Sequence, residues 1–318
     1  MMMNPVLSRE LRERMRTGKA FAVVGTFLLL LTLTAYLVYQ GSTTGSGDIS
    51  TDLARQTRLG RDLYEWVLFV MLGLVLFFVP ALTAGSIAGE RERQTLHPLQ
   101  VTLLRPRGIL IGKVLAGSSF MLLLLFAALP VMMVAYLLGG IRPIDGLKGV
   151  GIICVIAILL TLMVTALSAL TRRVQTATLL AYGFTALLVL LGPLLYFTLR
   201  VADGSHGNDI ENPPAILLAL NPITIVADAT AGENSSSFGG STSTPLGFAR
   251  QQVIQAKTLN DDSWFAWFPD DNFRAQFRIE RREGFPAWAV GTLGLSAIAA
   301  LLSTLAVRRL RTPSETER

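Results

Sequence analysis

Cysteine is nearly absent from this chain. Cys154 is the only one in 318 residues, so no intrachain disulfide can staple the fold, and its place inside an apolar run suits a small buried hydrophobe. Histidine is almost as scarce: His97 and His206 are the only two, with no His-Glu-x-x-His or paired-cysteine spacing, which argues against a metal site. A phosphate-binding loop is also missing. That loop needs Gly-x-x-x-x-Gly-Lys-Ser/Thr, because its amides curl round phosphate and its hydroxyl reaches magnesium. Gly108-Ile-Leu-Ile-Gly-Lys113 is one residue short and runs into Val114. The surroundings of Ser86, Ala84-Gly85-Ser86-Ile87-Ala88, do not form a nucleophile elbow. Nothing here argues for an enzyme.

The most informative absence is that of charge over long stretches. Six runs contain no Asp, Glu, Lys, Arg or His: Ala20 to Tyr39, Trp66 to Gly89, Val114 to Ile141, Gly149 to Thr171, Val174 to Leu199 and Gly284 to Val307. A bilayer span needs about 20 apolar residues at about 1.5 Å each. Runs of this length without period-2 alternation are helices rather than barrel strands, because hydrocarbon leaves no unpaired backbone group tolerable. A composition that is 51% hydrophobic agrees, and leaves little chain for a soluble catalytic domain. The formal charge of +6 does not indicate nucleic acid, since the basic residues flank the apolar runs, where membrane topology accounts for them. The missing intramembrane charge also argues against an ion-coupled carrier, which usually holds its coupling ion on ionisable groups at depth.

What is present orients the chain. With six spans both termini share a side, and 16 of the 28 Lys and Arg fall on that side with only 6 acidic residues, against 12 basic and 16 acidic on the other. The positive-inside rule then places both termini in the cytoplasm. The expected fold class is an all-α integral membrane protein with six transmembrane helices, an N-terminal amphipathic interfacial helix and a long exterior loop between helices five and six. Residues 1–19 form the amphipathic helix, with Leu7, Leu11 and Met15 at i, i+4, i+8 and Arg9, Arg12, Arg14 and Arg16 largely on other faces. The run that follows is too long for a signal-peptide core, so the first span is expected to be retained. Residues 20–199 hold helices one to five with a loop at 90–113, 200–283 the exterior loop, 284–307 helix six and 308–318 a cytoplasmic tail.

Within the exterior loop, Ala215 to Ala227 is apolar but only about 13 residues long and is interrupted by Asn221-Pro222, which suits a re-entrant or interfacial segment better than a span. Gly232 to Gly247 is rich in Ser, Thr and Gly and reads as flexible. Trp264, Phe265, Trp267, Phe268, Phe273 and Phe277 alternate with Arg274, Arg278, Arg281 and Arg282, a pattern for the outer headgroup layer. Interfacial anchoring accounts for it, and a lid over an exit pore is the functional alternative.

The end of the second run carries a motif. Small residues Ala81, Gly85 and Gly89 permit close helix packing and lead into Glu90-Arg91-Glu92-Arg93-Gln94-Thr95-Leu96, then Leu103-Leu104-Arg105-Pro106-Arg107 and Gly112-Lys113. As chemistry alone, this alternating tetrad also describes a solvated helix end. The order Gly89-Glu90-Arg91-Glu92-Arg93, Thr95-Leu96, Gly112-Lys113 resembles the permease subunits of type-2 ABC transporters, the export-type ABC-2 family. It departs at Gln94, where that family more often has Gly, and in the turn at 103–106. Asn4-Pro5-Val6-Leu7 with the Arg-Glu-Leu-Arg that follows, Leu220-Asn221-Pro222 and the Arg-Arg-Leu-Arg tail fit the same resemblance, which thus covers nearly the whole chain.

The resemblance implies a permease subunit of an ATP-driven exporter, multi-pass in a bacterial-type plasma membrane. Two copies, or this chain and a related permease, would enclose a path driven by separate cytoplasmic ATPase subunits that carry the ATP and Mg. No cofactor or nucleic acid is implied for this chain. The segment Glu90, Arg91, Glu92, Arg93, Gln94, Thr95, Leu96, His97 and Leu99 would couple to the ATPase. Tyr36, Tyr182, Thr185 and Tyr196 are candidates for the substrate path, although ordinary helix packing uses the same side chains. A force-transmitting subunit that moves no substrate, and an ion-coupled secondary carrier, are the alternative classes.

Overall fold

The computed structural model of the chain describes residues 18–43, 52–94, 106–139, 141–206, 216–231, 244–259 and 286–311. Among these residues there are helices and turns and no strand. In chain order the helices are α1 (Gly18–Thr43), α2 (Asp52–Thr83), α3 (Gly85–Glu92), α4 (Pro106–Ala127), α5 (Leu129–Leu137), α6 (Pro143–Leu170), α7 (Val174–His206), α8 (Ile216–Ala219), α9 (Pro222–Ala229), α10 (Pro245–Leu259) and α11 (Ala287–Arg311). Six stretches are long and apolar enough to cross a membrane: Phe21–Gly41, Gln56–Glu92, Arg107–Leu137, Pro143–Leu170, Val174–Leu199 and Ala287–Leu310. The expected all-α membrane fold with six spans is therefore what the chain adopts. The N-terminal amphipathic segment and the aromatic and arginine-rich stretch from Trp264 to Arg282 lie outside the described residues.

Helices begin and end differently from the charge-free runs. The helix that carries the second span starts at Asp52 rather than Trp66, because a helix needs backbone bonds and not uninterrupted hydrophobicity. The charged part of this helix ahead of Trp66 ends at Glu65, which is buried and lies 3.6 Å from Arg61 one turn away. This span is also interrupted. Pro80 removes one N–H from its ladder, and a turn at Ala84 separates α2 from α3. The third span divides likewise at Ala128, whose N–H is shared between the Leu124 and Leu125 carbonyls just ahead of Pro130.

The chain divides into two compact units, each with its own packing. One comprises residues 1–141, 153–185 and 296–318. Here α2 packs on α1, α4 and α5 through residues spaced three or four apart, Leu68, Met71, Leu72, Val75 and Val79, while Phe27 of α1 meets Phe78 with ring centres 6.2 Å apart. Two glycines set the closest approaches. Gly60 lies against the carbonyls of Ala135 and Gly139, where even a methyl would collide with backbone, and Gly139 closes α5 at φ +83°. At Gly117 of α4, a Cβ would stand 3.0 Å from the methyls of both Thr83 and Thr161. Those threonines can be buried because each donates its hydroxyl proton to the carbonyl four residues earlier, Val79 and Ala157.

The second unit comprises residues 142–152 and 186–295. Its centre is the short segment around Asn221, which forms two helices of four and eight residues, α8 and α9, neither of them a span. Asn221 accepts the Ile223 N–H at 2.9 Å as the cap of α9, with Pro222 in the first turn. Its amide also donates to the Val189 carbonyl of α7 at 2.9 Å. Val189 is four residues before Pro193, which has no N–H to offer, so the asparagine fills the bond that the proline leaves open. Glycines again admit the contact: Gly192 lies against the Leu217 carbonyl, Gly291 against the Ala219 carbonyl and the Ile225 side chain, and Gly294 against the Leu220 side chain. Arg250 of α10, itself buried, donates to the Ala227 carbonyl at 3.0 Å and the Thr230 hydroxyl at 3.2 Å, closing the C-terminal end of α9. The last residues of the stretch read as flexible are ordered here. Thr244 accepts the Gly247 N–H at 3.0 Å and opens α10, because a hydroxyl before a proline is also a helix start signal.

Candidate functional site

The tetrad that marks the sequence sits on α3, whose two helical turns lie beyond the break at Ala84. One face of α3 is apolar. Ile87 is fully buried in a cluster with Leu110 of α4, Ala166 and Ala169 of α6, and Ala306 and Leu310 of α11. The polar groups of α3 turn toward three neighbouring helices.

Lys113 of α4 is the most buried charge at this end of the molecule. Its side chain is 1% exposed, and Nζ lies 3.0 Å from Glu90 Oε1 and 2.7 Å from the Ser86 carbonyl oxygen, to which it donates. A buried ammonium is tolerated only when paired and hydrogen-bonded, and both conditions are met here. The other partners come from the end of α6 and the start of α7. Ser168 Oγ accepts the Ile87 and Ala88 N–H groups at 3.2 and 3.0 Å. Arg91 donates to the Thr171 carbonyl at 3.0 Å, and Glu92 Oε2 accepts the Val174 N–H at 3.0 Å. Val174 itself seats its methyls over Gly85 and Gly89, where added Cβ atoms would lie 3.3 and 3.6 Å away. Of the three small residues singled out in the sequence, Gly85 and Gly89 make this contact, whereas Ala81 is exposed.

Arg93 and Gln94 close the helix and face outward. The Gln94 N–H bonds the Arg91 carbonyl at 3.1 Å with φ at +57°, the left-handed conformation that ends many helices and that glycine adopts most easily. The preference for glycine at this place in the resembling family thus has a physical reason. Thr95, Leu96, His97 and Leu99 lie outside the described residues.

The four candidates for a substrate path have separate surroundings. Tyr36 is exposed and its hydroxyl accepts a bond from Gln40 at 2.8 Å. Tyr182 stacks at a tilt on Phe77 and donates to the Phe77 carbonyl at 3.1 Å. Thr185 is buried and bonded within its own helix to the Ala181 carbonyl, and Tyr196 is buried beside Phe197.

The residues that sequence reasoning missed are Ser168, Thr171 and Val174, and for Lys113 it noted the motif but not the pairing with Glu90. One signal was available for Ser168: Thr161, Thr165 and Ser168 recur at four and three residues along an otherwise apolar run, a polar stripe on one face of α6. Among the described residues no group of His, Cys, Asp and Glu is arranged to hold a metal ion.

No curated protein matches this chain. The sequence pattern of the family described as ABC-2 family transporter protein, in contrast, matches residues 4–306, a stretch that takes in five of the candidate spans, most of the sixth and the whole of α3. Six apolar helices, a charged helix bolted to the end of the bundle and this match agree, and the chain belongs to the ABC-2 transporter family as a multi-pass membrane permease.

Proposed function

We propose that this chain is the membrane path of an ATP-driven exporter and that α3 is where separate cytoplasmic ATPase subunits act on it. The observation that carries this reading is the anchoring of α3: a short helix beyond a break in its own span, yet tied by Glu90 to α4, by Arg91 to the end of α6 and by Glu92 to the start of α7. A push on its exposed end is thereby delivered to three spans at once. The chain carries no phosphate-binding loop, so ATP and Mg would belong to the partner. A second copy, or a related permease, would complete the path. The excess of Lys and Arg beside α3 supports placing that end, and both termini, in the cytoplasm.

The anchoring also redistributes the roles expected of the tetrad. Glu90 and Glu92 are engaged inside the chain, which leaves Arg93 and Gln94 as the described residues best placed to meet a partner. Affinity purification from the native membrane under mild detergent should recover an ATPase with its own phosphate-binding loop. Arg93→Glu should lower that recovery at least fivefold without changing the amount of permease in the membrane. Repeated purification of the unaltered chain without any ATPase would sink the reading.

A further inference from the structure

Neither of two helix starts at this end of the molecule is capped by its own sequence. Ala84 precedes α3, has no side-chain acceptor and makes no capping bond. Arg173 precedes α7 and offers donors only. Each start is instead completed by the other's neighbourhood. Ser168, at the end of α6 and 1% exposed, accepts the N–H groups of Ile87 and Ala88 in α3, while Glu92, at the end of α3, accepts the first N–H of α7. Between them Arg91 covers the Thr171 carbonyl, and Val174 fits the notch made by Gly85 and Gly89. The turn joining α6 to α7 and the helix α3 thus cap one another reciprocally, although some 80 residues separate them in sequence. Along the chain α3 joins α2 through a single turn at Ala84, four residues after Pro80, whose carbonyl accepts the Ala84 N–H at 3.0 Å.

The geometry points to Ser168 as a positioning residue that makes the α6–α7 turn follow α3, so that spans four and five receive the displacement of α3 directly rather than through α2. This rests on the reading of α3 as the element the ATPase moves. It assigns Ser168 no contact with substrate or nucleotide. Its role is to hold the first turn of α3 through two backbone N–H groups.

The test uses the full chain in native membranes, with Cys154→Ala as background and Gln175→Cys as a reporter on the exposed first turn of α7. The reporter is labelled with a membrane-permeant maleimide, with and without ATP, Mg and vanadate. In parallel, recovery of the ATPase and its rate of hydrolysis are measured. In the parent, nucleotide should change the labelling rate. Ser168→Ala should cut that response at least threefold while ATPase recovery and hydrolysis stay within twofold, and Ser168→Thr, which keeps an acceptor, should restore it. A full response in Ser168→Ala would overturn the role of Ser168 and leave the coupling reading standing. Loss of ATPase recovery together with the response would mark Ser168 as needed for folding alone, which also overturns the proposal. A parent that binds no ATPase, or whose reporter ignores nucleotide, would overturn the coupling reading and this inference with it.

Discussion

Lys113 and Glu90 form a pair in which the two partners are unequally wet, and that inequality decides what each mutation does. The lysine side chain is 1% exposed and the glutamate 26%. Removing the carboxylate with Glu90→Ala leaves an ammonium in a dry place beside the neutral Ser86 carbonyl, at a cost of about 3 kcal/mol, whereas Lys113→Met leaves a carboxylate whose Oε2 is buried but whose side chain is partly exposed, at a smaller cost of about 2 kcal/mol. The double variant should be more stable than Glu90→Ala alone, since nothing charged is then stranded. Thermal unfolding of the purified permease in detergent checks the order of the three, and equal losses from the two single changes would show that burial does not govern the pair. The sequence put Glu90 and Gly112-Lys113 in one motif, but local pattern carries no distance, and a partner on the next span is visible only in three dimensions. Gln94 was legible in the opposite sense: a departure from glycine marked the one described non-glycine residue with positive φ.

At the scale of the element, prolines and the groups that compensate for them explain more than apolar run length does. Pro193 leaves the Val189 carbonyl without its helical donor, and Asn221 supplies one from outside the helix while its own oxygen caps α9. Asn221→Ser keeps a capping acceptor but is too short to reach Val189, so it should destabilise the protein by about 1–2 kcal/mol, the cost of a carbonyl left short of a partner. Adding Pro193→Ala returns an N–H to that carbonyl and should recover most of the loss. If thermal unfolding shows the double variant to be no better than Asn221→Ser, the compensation is not the reason for the contact. Element existence was readable from hydrophobic runs because a bilayer imposes a minimum length on every span. The breaks at Ala84 and Ala128, the charged extension from Asp52 and the start of α10 at Thr244 were not, because each depends on backbone bonds that composition does not report.

For the whole molecule, the even number of spans makes a parity prediction. With Cys154 replaced, a cysteine at Ser205 or Ser235 should react with an impermeant maleimide from outside the cell, and one at Ser314 only after the inner face is exposed. Labelling of Ser314 from outside would overturn the assignment of both termini to the cytoplasm, and labelling of Ser235 and Ser314 both from outside would require an even number of crossings between them instead of the single span in α11. The two units share a further property at this scale. Both draw on α11, whose residues up to Leu295 belong to one and those from Ser296 to the other. Gly291 and Gly294 receive the turn after α8, while Ala306 and Leu310 complete the apolar seat of Ile87. During synthesis α11 leaves the ribosome after every other described helix, so until it inserts, each unit is short of a wall. A nascent permease with only the five earlier spans in place therefore still lacks Ala306 and Leu310 around Ile87 and the glycine seats of Ala219 and Leu220, so two separate parts of the fold wait on the insertion of one helix.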